Sequence, residues 1–170
     1  MRMYYLSKRD SREIIEILRN RYRLREDIEK ILFVDASSAL RNKIVHIYIG
    51  FFREEKIPVA MKLEQGYIPA IHALNKGILE IPYAKIDKGA VAKILNGADV
   101  MAPGIVETSE FSRGDIVGVK EPDKSLYIAI GRALMSSQEI TSVRRGKAIE
   151  NLHYAGDDIW RVLLELYKKI

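Results

Sequence analysis

The second half of the chain consists of short apolar segments that are repeatedly interrupted by Gly, Pro and Asp. Four of these segments, 83–87, 115–120, 126–131 and 147–154, have the length of short strands. Many short strands divided by turn residues are typical of a small β-barrel. A Ser-Ser-Gln-Glu sequence within them predicts one helix that begins at a capping box. The sequence therefore predicts a compact, mostly antiparallel β-domain from Ile81 onwards.

The first half combines helical and strand patterns. Ser7 or Asp10 can cap a first helix, with Glu13 three residues after Asp10. The apolar side of that helix is formed by Ile14, Leu18 and Tyr22. Segment 43–52 is rich in β-branched and aromatic residues, which predicts a strand, and segment 57–63 can pair with it as a hairpin.

Two shorter helices are predicted on either side of this hairpin. Ile28, Ile31 and Leu32 have helical spacing. Pro69 suits a first helical position, and Gly77 suits the end of the helix that follows. Residues 1–80 are therefore expected to form an αβ domain.

A glycine-bounded helix near residue 90 is the first candidate binding feature. Val91, Ile94 and Leu95 form a buried stripe, which leaves a small and basic face for solvent. That face and the turns after it are formed by Lys88, Gly89, Lys93, Asn96, Gly97 and Gly104. Glycine lets a nucleic-acid backbone approach closely and lysine can neutralise phosphates, although these local features by themselves are more typical of ordinary folding.

Two further basic clusters are candidate phosphate contacts. Arg144, Arg145 and Lys147 surround a glycine just before a predicted strand, where the alternative is an ordinary solvated turn. Arg19, Arg21, Arg23 and Arg25 follow one another at alternate positions at the end of the first helix. These four could form a second RNA contact, or a solvated face that complements the helix end and pairs with nearby carboxylates.

Charge and composition narrow the classes of function. The formal charge is +5, which favours polyanionic partners. Residues 1–80 hold 15 Lys and Arg against 11 Asp and Glu, whereas residues 81–170 hold 13 against 12. The chain has no cysteine, so disulfides, thiolate nucleophiles and cysteine zinc sites are excluded. Without a long apolar run or a secretory leader, the sequence predicts a soluble, cytoplasmic protein.

The sequence does not predict a catalytic centre. The three histidines, His46, His72 and His153, lack metal-ligand spacing. His153 and Asp157 could form an acid-base pair, but a strand histidine beside a helix-capping aspartate is more often structural. No cofactor and no metal site is expected. Trp160 and Met101 are expected in the core rather than on a nucleic-acid surface.

Several motifs together resemble a PUA domain. They are the glycine-bounded helix, the segment 97–105, the Gly114-Asp115 turn and the Ala129-Ile-Gly131 segment. Segment 146–160, together with 67–74 and 87–90, resembles the malignant-T-cell-amplified-sequence family of translation factors. This chain departs from that family in its first third, at Ala102 and in the extension 161–170.

The resemblance implies an α+β protein with an N-terminal pre-PUA domain and a C-terminal PUA pseudobarrel. The expected division is 1–80, 81–160 and a helical extension over 161–170. The implied function is non-enzymatic binding of structured RNA, either tRNA or small-subunit rRNA, in translation initiation or recycling on the small ribosomal subunit. A density-regulated-protein-like partner is implied as well. The alternatives are an RNA-recognition subunit of a tRNA- or rRNA-modifying enzyme, and a protein-interaction adaptor.

Overall fold

The computed structural model describes residues 1–41 and 43–170, and these fold as two compact units, Met1–Glu80 and Ile81–Ile170. Five strands and two α-helices belong to the first unit: β1 (Arg2–Tyr5), α1 (Lys8–Tyr22), β2 (Lys30–Asp35), β3 (His46–Phe51), β4 (Lys56–Leu63), β5 (Gly66–Pro69) and α2 (Ile71–Asn75). The second unit contains β6 (Tyr83–Ile86), α3 (Lys88–Ile94), β7 (Val100–Met101), β8 (Ile105–Thr108), β9 (Ile116–Lys120), β10 (Tyr127–Ala133), α4 (Ser137–Val143), β11 (Lys147–Tyr154) and α5 (Asp158–Tyr167).

The first unit is an antiparallel meander in which strand order follows chain order, from β1 at one edge to β5 at the other. The expected helix α1 is confirmed, with Ser7 accepting a hydrogen bond from the N–H of Asp10. Ile14, Leu18 and Tyr22 are buried along it, as their spacing predicts. The hairpin of β3 and β4 is confirmed too.

Two predictions in this unit are wrong. The expected helix around Ile28, Ile31 and Leu32 is replaced by strand β2, because the continuous apolar run 31–34 is buried in the sheet. Pro69 does not begin a helix. It ends β5, and Ala70 occupies the N-cap position of α2 without a side-chain hydrogen bond.

The second unit is a six-stranded sheet in the order β7-β11-β10-β9-β6-β8. Its pairings are antiparallel except for that of β6 with β9. The α+β fold and the expected pseudobarrel are confirmed. Register shifts interrupt four of its antiparallel pairs, β10–β11, β10–β9, β11–β7 and β6–β8, and such bulges bend strands. Its core combines Ile, Val and Ala from the strands with Phe111 and with Ile94 and Ile140 from the helices.

Helix ends in this unit follow the sequence closely. Asp87 caps α3, and Ser136 with Glu139 forms the predicted capping box of α4. Asp157 caps α5, which begins before the expected extension 161–170 and ends within it, at Tyr167. No helix in the described part of the chain is long and apolar enough to cross a membrane.

Candidate nucleic-acid interface

Helix α3 presents its predicted basic face to solvent. Lys88, Gly89 and Lys93 are exposed, while Ile94 is buried and Val91 is half-buried. Leu95, expected in the buried stripe, is exposed. The face therefore offers two cations and a residue without a side chain on one short helix.

The turn after α3 depends on a glycine. Gly97 has a φ of +94°, a conformation that L side chains rarely adopt, and a Cβ there would lie 3.4 Å from the ring of Tyr154. Asn151 on β11 donates to the carbonyls of Ile94 and Ala98 at 3.1 and 3.0 Å. The C-terminal end of α3 is thereby fixed to β11.

The turn after β7 lies against the N-terminal end of the same helix. Residues Ala102–Gly104 form a 3-10 turn, and the carbonyl of Gly104 accepts from the N–H of Asp87 at 2.8 Å. A Cβ on Gly104 would lie 3.4 Å from that of Ala90. The N-terminal end of α3 is therefore held by the backbone of Gly104, and the C-terminal end by the side chain of Asn151.

The basic loop 144–147 lies beside this turn. The N–H of Ala102 donates to the carbonyl of Gly146 at 2.9 Å, and Lys147 pairs with Met101 in the β11–β7 register. Arg144 ends α4 in a left-handed conformation, with a φ of 55°. Hydrogen bonds thus connect α3, the segment 97–104 and the basic loop.

The cations of this interface differ in whether a nearby carboxylate neutralises their charge. Lys147 lies 3.3 Å from Asp99, whose other oxygen accepts from the N–H of Asn151 at 2.9 Å. The charge of Lys147 is therefore partly neutralised. Arg144 and Arg145 are exposed, as is Asn96. We name the surface formed by Lys88, Gly89, Lys93, Asn96, Gly97, Gly104, Arg144, Arg145 and Lys147 the α3 surface.

Sequence reasoning missed two contributors to this surface. Met101 was expected in the core, but 46% of it is exposed beside Lys147, because β7 is an edge strand and alternate residues face outward. Asn151 was not singled out, although its amide joins α3 to β11. An asparagine in a predicted strand, where this residue type is uncommon, was the available signal.

The arginine-rich segment is part helix and part loop. Helix α1 ends at Tyr22, and Arg23 follows in a left-handed conformation with a φ of 48°. Arg19 lies 3.7 Å from Asp27, and Arg25 lies 2.7 Å from Glu80. Two of the four arginines are thus paired with carboxylates, as expected for a solvated face.

His153 and Asp157 do form a close pair. Their Nδ1 and Oδ2 atoms are 2.7 Å apart, and the histidine is 1% exposed. Burial opposes ionisation of Asp157, but hydrogen bonds from His153 and from the N–H groups of Tyr154 and Trp160 prevail, so its pKa is lowered. Substrate cannot reach a ring this buried, and the pair therefore stabilises the start of α5.

An open groove of about 420 Å³ lies between the end of β8 and α4. It is lined by Thr108, Ser109, Glu110, Ser137, Gln138, Thr141 and Ser142. None of the predicted site residues lines it. Three or more residues able to hold a metal ion do not come together anywhere in the described part of the chain.

Comparisons with known proteins match this architecture. A family model described as PUA domain matches residues 82–155. A solved structure of a conserved PUA domain protein from Thermoplasma acidophilum superposes with a TM-score of 0.74, at 29% identity, and covers 95% of this chain and 99% of that one. An uncharacterized protein of Methanocaldococcus jannaschii is 34% identical over 92% of this chain and 94% of its own length.

Relatives with named roles match over a shorter span. Translation machinery-associated protein 20 of Saccharomyces cerevisiae is 31% identical over 58% of this chain and 58% of its own length. Malignant T-cell-amplified sequence 2 of Homo sapiens is 31% identical over 66% of this chain and 60% of its own length. The chain thus spans about three fifths of these two eukaryotic relatives.

Proposed function

The chain belongs to the malignant-T-cell-amplified-sequence-like family of PUA-domain proteins, and on this premise we propose that it is a non-enzymatic RNA-binding protein that acts in translation. The proposed target is structured RNA, either tRNA or small-subunit rRNA, bound on the small ribosomal subunit in the cytoplasm during initiation or recycling. A density-regulated-protein-like partner belongs to the same proposal. The names of the eukaryotic relatives support the role in translation.

The observation that carries the proposal is the joining of two basic segments by one hydrogen-bonded turn. Gly104 contacts the start of α3, and Ala102 contacts Gly146 in the loop that holds Arg144 and Arg145. Exposed cations on rigid backbone contact phosphates at a low cost in entropy, and the nearby glycines leave room for an RNA backbone.

A double charge reversal tests the α3 surface. Lys93→Glu combined with Arg145→Glu should weaken binding of a tRNA transcript and flatten the slope of log affinity against log salt by roughly one unit per lost contact. Lys124→Glu combined with Lys168→Glu is the matched control, because it changes two exposed lysines of the same unit and lowers the net charge equally. Equal loss in both double variants would show that net charge alone attracts RNA, and would overturn the site.

The arginine segment is proposed as a weaker second contact. Arg19 and Arg25 already pair with carboxylates, so Arg21 and Arg23 carry most of the available charge. Changing all four arginines to glutamine should reduce affinity less than the double reversal on the α3 surface does. An unchanged affinity would make this segment a solvated helix end.

The absence of catalysis is tested directly. Incubation of tRNA with the protein, with and without divalent metals, should leave every nucleoside and both ends unmodified in mass spectrometry. The supporting observation is the burial of His153, which withholds the His153–Asp157 pair from substrate. A protein-dependent product would overturn this part of the proposal.

A further inference from the structure

One face of the sheet in the first unit carries two cross-strand rows of aromatic and charged residues. The inner row, in register from β1 to β5, is Tyr4, Phe33, Tyr48, Ala60 and Pro69. The outer row is Arg2, Asp35, His46, Lys62 and Tyr67. Residues two apart on a strand face the same side, so both rows share one face. We name it the aromatic face.

The rings of the aromatic face touch one another across the strands. The centroid of Phe33 lies 5.0 Å from those of Tyr4 and His46 and 5.6 Å from that of Tyr48. Tyr48 and Tyr67 are 5.9 Å apart. Phe33 and Tyr48 are buried by this packing, whereas Tyr4 is 46% exposed and His46 and Tyr67 are half-buried. The buried rings therefore support the three that solvent reaches.

A cation lies at each side of the aromatic face. Arg2 lies over the ring of Tyr4 at 5.6 Å from its centroid, and Lys62 lies over Tyr67 at 5.3 Å. Neither cation forms an ion pair within 4 Å in the part of the chain that the structure describes. Asp35 is the one carboxylate in the two rows, and it accepts from the N–H of Ser37 at 3.1 Å. Hydrogen bonds from Ser37 lower the pKa of Asp35, and the charges of His46 and Arg2 add to this effect. Arg2 is therefore partly balanced by Asp35, whereas Lys62 is the cation more available to meet phosphate.

We propose that the aromatic face binds a single-stranded segment of RNA, whose bases stack on Tyr4 and Tyr67 while Arg2 and Lys62 contact its phosphates. Exposed rings on a sheet, with cations beside them, are a common binding surface for single-stranded RNA. Every base has a face that can stack on a ring, and every phosphodiester link carries a negative charge. The excess positive charge of residues 1–80 favours the same polyanion. This inference rests on the proposed RNA-binding function and adds a second class of RNA target.

Adjacent tyrosines of β1 provide a matched pair of variants. Tyr4 belongs to the aromatic face, whereas the neighbouring Tyr5 points to the opposite face and is 54% exposed. In the full-length protein, Tyr4→Ala should weaken binding of a labelled oligouridylate by about 5- to 150-fold, the range for loss of one stacked base. Tyr5→Ala should leave that affinity unchanged, and Tyr4→Phe should retain it because the ring remains.

Lys62→Gln is the second test, because it removes a charge from an exposed side chain without removing a ring. Its slope of log affinity against log salt should be flatter by about 0.7, the value for one phosphate contact on a single strand. Thermal unfolding of each variant checks that the sheet is intact. Equal oligouridylate affinities for Tyr4→Ala and Tyr5→Ala would overturn the proposal, as would an association of two copies in sedimentation that Tyr4→Ala abolishes.

The tRNA transcript separates this inference from the function on which it rests. Lys93→Glu with Arg145→Glu should weaken tRNA binding and spare the oligouridylate, whereas Tyr4→Ala should do the reverse. If tRNA binding depends on the α3 surface while Tyr4→Ala changes nothing, the proposed function stands and the aromatic face is structural. If neither RNA binds the wild-type protein, the proposed function itself fails.

Discussion

The sheet of the first unit pairs each strand with its neighbour in the chain, whereas the sheet of the second unit brings together strands that are far apart in sequence. The first presents a broad face of rings and cations. The second keeps its strands in the core and presents the turns between them, at Gly97, Gly104 and Gly146. The first sheet thus exposes side chains on one face, while the second exposes backbone and loop cations at its turns. The difference predicts that substitutions will have different costs in the two units.

The largest difference is expected at strand glycines. A Cβ on Gly131 in β10 would overlap the carbonyl of Glu150 and the side chain of Ile149, and the backbone cannot yield easily. Gly131→Ala should therefore lower the free energy of unfolding by about 4 kcal/mol or more, in the range reserved for severe core defects. Chemical denaturation measures this.

Gly50 in β3 is the counterpart in the first unit. A Cβ there would lie 3.0 Å from Val59 and 3.1 Å from Phe52, both of which are side chains that can shift. Gly50→Ala should cost about 1 to 3 kcal/mol, as for modest overpacking. Equal costs at the two glycines would contradict the expectation that a clash with backbone costs more than a clash with side chains.

The second comparison between the two units concerns the residues that cap their helices, Asp157 in the second unit and Ser7 in the first. Asp157 accepts from the N–H of Trp160 at 2.8 Å and from that of Tyr154 at 3.1 Å, and it also holds the buried ring of His153. Asp157→Ala should cost about 3 kcal/mol, because it removes a cap and leaves a buried polar ring unpaired. Thermal and chemical unfolding of the full chain measure this cost.

Ser7 caps α1 in the first unit through one exposed hydrogen bond, from the N–H of Asp10 at 3.1 Å. Ser7→Ala should cost about 1 kcal/mol, the usual value for a surface cap. Equal losses of unfolding free energy for Ser7→Ala and Asp157→Ala would contradict the view that contact with the buried His153 ring makes Asp157 the more important cap.

These caps also show which parts of the fold the sequence could predict. Ser136 with Glu139 and Asp157 were identified correctly because capping is a local interaction between residues three positions apart. Strand β2 was mistaken for a helix because Ile28, Ile31 and Leu32 match helical spacing, and only pairing with both β1 and β3 decides between the two structures. Local signals were reliable, whereas long-range pairing was not visible.

The same distinction between local signals and long-range pairing applies to the candidate sites. The α3 surface could be assembled in part from glycines and cations, since these mark turns. Its connection through Asn151 and Ala102 required the β11–β7 pairing. The aromatic face was not anticipated, because Tyr4, Phe33, Tyr48 and Tyr67 come from four strands that are up to 63 residues apart in sequence, and no local motif connects them.

The smallest expected effect concerns one exposed ion pair in the second unit. The hydrogen bond from Arg113, with that from the N–H of Ser136, lowers the pKa of Glu139 from 4.5 to about 2. A lowered pKa means that the stabilising contribution is present above pH 4.5 and is lost as the pH falls towards about 2. The difference in unfolding free energy between wild type and Glu139→Gln should therefore shrink over that interval.

Denaturation at a series of pH values measures this dependence. Arg113→Gln is the matched variant, since it removes the partner and should return the pKa of Glu139 towards its ordinary value. A difference between wild type and Glu139→Gln that stays constant down to about pH 2 would show that the pair makes no pH-dependent contribution.

The strand order of the second unit affects how the chain can fold while it is being synthesised. Strand β11 lies between β7 and β10, yet it is the last of the strands to leave the ribosome. The meander of the first unit can form as each hairpin emerges, because its contacts are local in sequence. The second unit must instead wait, with β7 and one side of β10 uncovered, until residues 147–154 have been synthesised. During that interval the nascent chain holds a finished domain followed by an incomplete sheet, and the incomplete sheet is where chaperones would act.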